Sequence, residues 1–231
     1  MRRHGSSTTV IELVGLPGSG KSTVIDTLSH VAEVEVIGPL RRARHLPWLA
    51  LGAIEAAPAV VRAAQDAAVS RQQLKWMARL PALAQIATRA RNHQAQKRIV
   101  VIDQGPVYTL ARLCGSSSHT IVSWRNRQVV GWSARLDVIV MLDAPDDTLL
   151  TRIESREKTH ALKHASADAA KSALEAQRSD LRAVVQQLAD RDVAVVCVSS
   201  ATAGAGAVAQ SVLDEIAAML DQVRAGEGRP L

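Results

Sequence analysis

Two glycines five positions apart, Gly15 and Gly20, followed at once by Lys21 and Ser22, set the strictest condition on how this 231-residue chain can fold. Upstream stands a short apolar, β-favouring run, Thr9–Val14, and downstream the apolar positions fall at helical spacing from Lys21 to Val31. A strand that enters a helix through a glycine-rich turn wraps its backbone tightly, so several N–H groups and the helix N-terminus aim at one point. Such a point attracts an anion. The strand–turn–helix unit also commits the chain to a sheet flanked by helices.

Four further Val/Ile-rich runs repeat the theme at Val34–Ile37, Arg98–Asp103, Leu136–Asp143 and Val193–Ser199. Helical spacing marks Asp146–Glu157, Ala167–Asp190 and Ala207–Arg224. Runs that are apolar almost throughout are expected to be buried on both sheet faces, which gives an α/β fold with a five-stranded parallel sheet. The whole chain, 1–231, reads as one domain. Residues 39–97, rich in Ala, Leu, Gln and Arg, form an inserted helical lobe, with Pro47, Pro58 and Pro81 expected to divide it into three helices. The Gly/Ser-rich Cys114–His119 reads as a loop between two helical segments, and residues 225–231 as a flexible tail.

Composition removes several classes. Apolar residues at 47% and charged residues at 22% exclude a disordered or collagen-like chain. With no Phe and one Tyr, the core must rest on aliphatic side chains, so each of the four Trp stands out. The two cysteines, Cys114 and Cys197, have neither CxxC spacing nor neighbouring histidines, so a zinc site is not expected and free thiols are. A net charge of +6 favours an anionic partner. Nucleic acid is not expected, since no helix-turn-helix signature and no aromatic series for base stacking accompany the charge. The basic start gives way too soon to the glycine turn for an export signal, and the apolar run Leu46–Val61 is interrupted by Glu55, so no transmembrane segment is expected. A cytoplasmic location follows as the expectation.

The segment Gly15–Ser22 fits GxxxxGK[ST], and its parts have distinct tasks in that pattern. The backbone of Gly15, Pro17, Gly18, Ser19 and Gly20 cradles phosphates, Lys21 reaches the β- and γ-phosphates, Ser22 ligates Mg²⁺, and Thr23 lies beside the α-phosphate. Together with Asp103-Gln-Gly-Pro-Val-Tyr108 and Leu142-Asp-Ala-Pro145…Arg152…Arg156, this loop resembles the P-loop kinases of small molecules, the group of thymidylate, deoxynucleoside and adenylate kinases. The likeness covers roughly residues 9–160. It implies ATP and Mg²⁺ as cofactors, a lid over residues 152–165, and an adenine-side loop that includes Thr202.

Asp103 ends an apolar strand, which puts its carboxylate at the sheet edge where open α/β folds bind ligands. It is a candidate general base or Mg²⁺ ligand, and a helix cap is the structural alternative. Asp143 ends the next strand as a second acid. Arg152 and Arg156, one helical turn apart, either close over the transferring phosphoryl group as lid arginines or pair with Glu154 and Glu157. Glu12, a charge inside an apolar strand, needs a partner or solvent. For the acceptor, Gln104 stands where the resembling kinases often carry Arg, with Tyr108 close by. Arg41, Arg44 and Trp48 open the lobe as further candidates, Trp48 either stacking on a ring or filling core. The arginines followed by Trp48 and an apolar helix also look like an interfacial membrane anchor, but burial of that face within the lobe is the expected outcome.

The function expected is transfer of the γ-phosphoryl of ATP to a small-molecule acceptor, a hydroxyl of a nucleoside or sugar-like metabolite or else a nucleotide monophosphate. The alternative is an ATP-binding regulatory switch acting through a protein or membrane partner. The absence of an Asn/Thr-Lys-x-Asp signature argues against a common GTPase. Oligomeric state leaves no mark in the sequence.

Overall fold

A computed structural model of the chain describes residues 8–38, 46–66, 68–92, 99–155, 161–201 and 205–227. Five strands, β1 (Thr9–Gly15), β2 (Val34–Ile37), β3 (Ile99–Asp103), β4 (Val138–Asp143) and β5 (Ala194–Ser199), form one all-parallel sheet in the order β2-β3-β1-β4-β5. The central strand β1 aligns Leu13 with Asp103 of β3 and Gly15 with Leu142 of β4, so the phosphate loop and both strand-end acids emerge from one edge. Every residue of β1 is buried.

Two separate cores cover the faces. On one face, α1 (Lys21–Ser29) and α8 (Ala205–Glu227) pack Val24, Leu28, Val208, Val212 and Ile216 against Ile11, Leu13, Val140 and Val196. On the other, α2 (Leu46–Ala64), α3 (Arg71–Asn92), α4 (Pro106–Ala111), α5 (His119–Ser133) and α7 (Ala167–Ala189) pack on Val10, Val14, Ile102 and Ile139. Helix α6 (Asp146–Glu154) leaves β4, and a 3₁₀ turn follows at Ala161–His164. Aliphatic residues dominate both cores, with Trp124 and Trp132 buried in the larger one.

The lobe departs from expectation in number. Among the described residues it is a hairpin of two helices, because only Pro47 falls in a first turn while Pro58 and Pro81 lie inside α2 and α3. An interior proline costs about 3 kcal/mol in an isolated helix. Here the long α2–α3 contact offsets that cost. The helices approach closely at Gly52, where an added Cβ would stand 2.8 Å from the Cα of Ala82. Helix α8 runs to Glu227, three residues past its expected end at Arg224 and into the expected tail, of which 228–231 lie outside the described residues. Both cysteines are free thiols.

Candidate active site

The phosphate loop takes its shape from backbone, as its glycines require. Gly18 has φ 89°, and a Cβ there would come within 2.6 Å of the Leu149 carbonyl, so only glycine fits between loop and α6. The loop is tied by Ser19 N–H to Leu16 O at 3.1 Å. No side chain caps the N-terminus of α1 at Gly20, which leaves its first-turn N–H groups aimed into the loop. Ser19 Oγ is buried there without a hydrogen-bond partner. A phosphate supplies the acceptors that this loop lacks. Lys21 is half-buried at the start of α1, with Ser22 and Thr23 exposed beside it. Ser22, exposed in the first turn of α1, is the residue that could hold a Mg²⁺ ion.

Asp103 faces this loop from the end of β3. Burial pushes its carboxyl above the ordinary carboxylate range, while the charges of Lys21 and Arg79 and the Gln104 N–H draw it back. It does not cap α4, because Glu12 does so from β1. Glu12 is fully buried and accepts from Val107 N at 2.6 Å and Tyr108 N at 3.0 Å. Its partner is therefore a helix N-terminus, whose partial positive charge suits a carboxyl group. Burial raises Glu12 from 4.5 to about 8, against those N–H groups and the nearby Arg79 charge, which lower it.

Between Asp103 and α4 the chain turns through Gln104 at φ 52°, a left-handed conformation uncommon for a residue with a Cβ. The turn is held from the lobe, since Arg79 of α3 donates to the Gln104 carbonyl at 2.7 Å. One turn earlier on α3, Trp76 meets Tyr108 edge-on at 5.9 Å, and the Arg79 guanidinium lies 5.5 Å from the Trp76 ring. Arg112 donates to the Tyr108 hydroxyl at 3.1 Å and covers its ring. Tyr108 also lines a cleft that runs past Leu16 and Pro17 to Gln177 and Asp180 of α7. Trp76 and Arg79 thus support Tyr108 and the Gln104 turn from the lobe. In sequence their only signal was an i, i+3 pair of stacking residues on a helix, and nothing there tied them to β3.

The remaining candidates divide. Arg152 donates to Ser200 O at 2.8 Å and to Gly18 O at 3.4 Å, so it stitches the phosphate loop to the loop that follows β5. Asp143 is engaged by α7, with Oδ2 3.5 Å from Arg178 Nε and 3.8 Å from Arg182. Trp48 is not brought to this edge: it lies under Arg89, ten residues along α3 from Arg79, or about 15 Å of helix. That end of α3 bonds through Arg91 to Asp137, just before β4, at the opposite edge of the sheet. Arg41, Arg44, Arg156 and Thr202 lie outside the described residues.

A parallel sheet ordered β2-β3-β1-β4-β5, with a GxxxxGKS loop between its central strand and first helix, defines a P-loop NTPase. Within that class, the AAA domain family AAA_33 matches residues 10–184, from β1 through most of α7, and the chain belongs to it. This P-loop family includes small-molecule kinases, and its domain implies binding of a nucleoside triphosphate, typically with Mg²⁺. No curated protein matches the chain significantly.

Proposed function

We propose that this protein is an ATP- and Mg²⁺-dependent phosphotransferase acting on a hydroxyl of a small acceptor bound between the phosphate loop and the wall of Gln104, Tyr108, Trp76 and Arg79. The observation that carries the reading is the approach of Lys21 to a half-buried Asp103 whose proton affinity is raised. A carboxylate of raised pKa is the better general base. Asp103 takes the proton of the acceptor hydroxyl as its oxygen bonds to the γ-phosphorus. The bond to the β–γ bridging oxygen breaks and ADP leaves. Lys21 and the loop N–H groups stabilise charge on the phosphoryl oxygens, with Arg156 as a candidate to join them from the lid. Ser22 and Asp103 are the residues that would hold Mg²⁺, which would supply positive charge to offset the charge of the phosphates.

A hydroxyl acceptor is favoured over a monophosphate because Gln104 replaces the Arg of the resembling kinases. Arg41 and Arg44 remain candidates for an anionic part of the acceptor, and a cytoplasmic location is part of the same proposal. The test is ADP release from ATP and Mg²⁺ with pooled acceptors, comparing the native chain with Lys21→Ala and Asp103→Asn. One pool is expected to raise turnover well above the acceptor-free rate, with both substitutions removing that increase. If nucleotide binds and no pool changes the rate, the phosphotransferase reading fails and the regulatory switch replaces it.

A further inference from the structure

Helix α2 packs Trp48, Leu49 and Val60 partly against the core and buries small side chains beside them, but it turns four large apolar side chains out. Gly52, Ala56 and Ala63 are buried against the rest of the lobe, whereas Leu46, Leu51, Ile54 and Val61 are 62%, 50%, 72% and 58% exposed. Ala50, Ile54, Ala57 and Val61 follow one another at i, i+4, i+7 and i+11, so they form one continuous outward stripe. The helix carries two charges, Glu55 and Arg62, and Glu55 leans towards α3, where Gln85 Nε2 donates to it at 3.4 Å. An amphipathic helix of a water-facing domain shows the reverse arrangement, and an apolar stripe of this length marks a contact surface. The burial expected for this face from the sequence is not found. Gly52, which has no room for a Cβ against Ala82 of α3, sets which side of α2 faces inward there.

Charge identifies what covers the stripe. Residues 39–97 hold ten Lys or Arg against two acids, Glu55 and Asp66; Arg79 and Arg91 bond elsewhere, to the Gln104 carbonyl and to Asp137, and the rest leave a net +6, equal to that of the whole chain. Three of those arginines, Arg41, Arg42 and Arg44, precede Leu46 directly in sequence, and Arg62 sits in the last turn of α2. Two such lobes brought face to face would repel. A nucleic acid would answer the charge and leave the apolar stripe wet. An anionic membrane answers both, with headgroups for Arg62 and the lobe's net positive charge and acyl chains for Leu51, Ile54 and Val61. By length and hydropathy α2 is able to cross a bilayer, with 19 residues and a mean hydropathy of 1.3. Its packing on α3 keeps it in the plane of the surface instead. We propose that the outward face of α2 docks this protein on an anionic lipid surface as a peripheral contact. The proposal does not depend on phosphoryl transfer.

The test is sedimentation of the full chain with vesicles of phosphatidylcholine alone or mixed with phosphatidylglycerol. Binding is expected with the mixed vesicles and not the neutral ones, with release at high salt as the headgroup attraction is screened. The double substitution I54E and V61E should lower the partition coefficient by about tenfold or more, as charge replaces buried apolar area. ATP binding by that variant, unchanged from the parent, shows that it folds; if it does not, Ile54→Ser alone is measured. Equal partition to both vesicle types, undiminished binding by the folded variant, or retention of the parent through alkaline carbonate would each overturn the proposal. So would a dimer in solution that the same substitution dissolves, since the stripe would then belong to a second copy.

Discussion

The two walls of the site are made in different ways. The phosphate loop is built from eight consecutive residues whose working groups are backbone N–H donors, and its shape follows from φ angles. The facing wall gathers Glu12 from β1, Trp76 and Arg79 from α3, and Gln104 and Tyr108 after β3, with contacts that span 25 to 96 positions of sequence. One wall tolerates many side chains and few backbones. The other depends on how helices sit against a sheet, so each wall should fail in its own way.

The largest effect is expected at Gly18. Valine there meets both an unfavourable φ of 89° and the Leu149 carbonyl, so the loop must open. ATP affinity by calorimetry should fall roughly a hundredfold, equivalent to about 3 kcal/mol. The fold should survive, because both sheet cores lie away from the loop. A variant that binds ATP normally would show that the cradle does not depend on this backbone.

Gly52→Val strikes the other wall through the lobe. Its side chain would collide with the α3 backbone at Ala82, an overpacking expected to lower stability by about 2 kcal/mol. ATP affinity should hold while acceptor-stimulated turnover falls, since Arg79 and Trp76 ride on α3. Loss of both activities together would mean that the two walls are one cooperative unit.

Legibility in the sequence follows the same division. The five strands and the order of elements were readable because Val/Ile runs and helical spacing are local signals, and the phosphate loop because its chemistry is spelled by spacing. Asp103 was found for a related reason, since the last residue of a buried parallel strand must reach the carboxyl edge. Trp48 and Trp76 show the limit. Both sit on lobe helices with an arginine over the ring, yet only Trp76 meets Tyr108, and the difference lies in which end of α3 packs on α4 and the turn after β3. The two-helix hairpin was hidden likewise, because tertiary packing overrode the penalty at Pro58 and Pro81.

Glu12 joins the walls, since it starts in the loop's own strand and caps the helix that carries Tyr108. In the unfolded chain it loses its proton near 4.5, and in the folded chain near 8. The folded state therefore holds the extra proton across that window, and stability falls as pH rises through it. One proton contributes a slope of about 1.4 kcal/mol per pH unit at most. Glu12→Gln should flatten the dependence of the urea midpoint on pH between 5 and 8, by roughly that slope. An unchanged profile would mean that another group carries the proton.

The smallest expected effect distinguishes strain from contact at Gln104. A residue with a Cβ at φ 52° costs about 1 kcal/mol or somewhat more, which glycine avoids, while glycine gives back part of that through a freer unfolded chain. Gln104→Gly should therefore be more stable by about 0.5 kcal/mol in urea melts, with the Arg79 bond to its carbonyl retained because that bond uses backbone. If the side-chain amide contacts the acceptor, the same variant should show a raised KM for acceptor and an unchanged KM for ATP. Gain of stability with loss of acceptor binding would place the strain in the service of the second wall. Gain of stability with no kinetic change would confine Gln104 to the turn and leave acceptor recognition to Tyr108, Trp76 and Arg79.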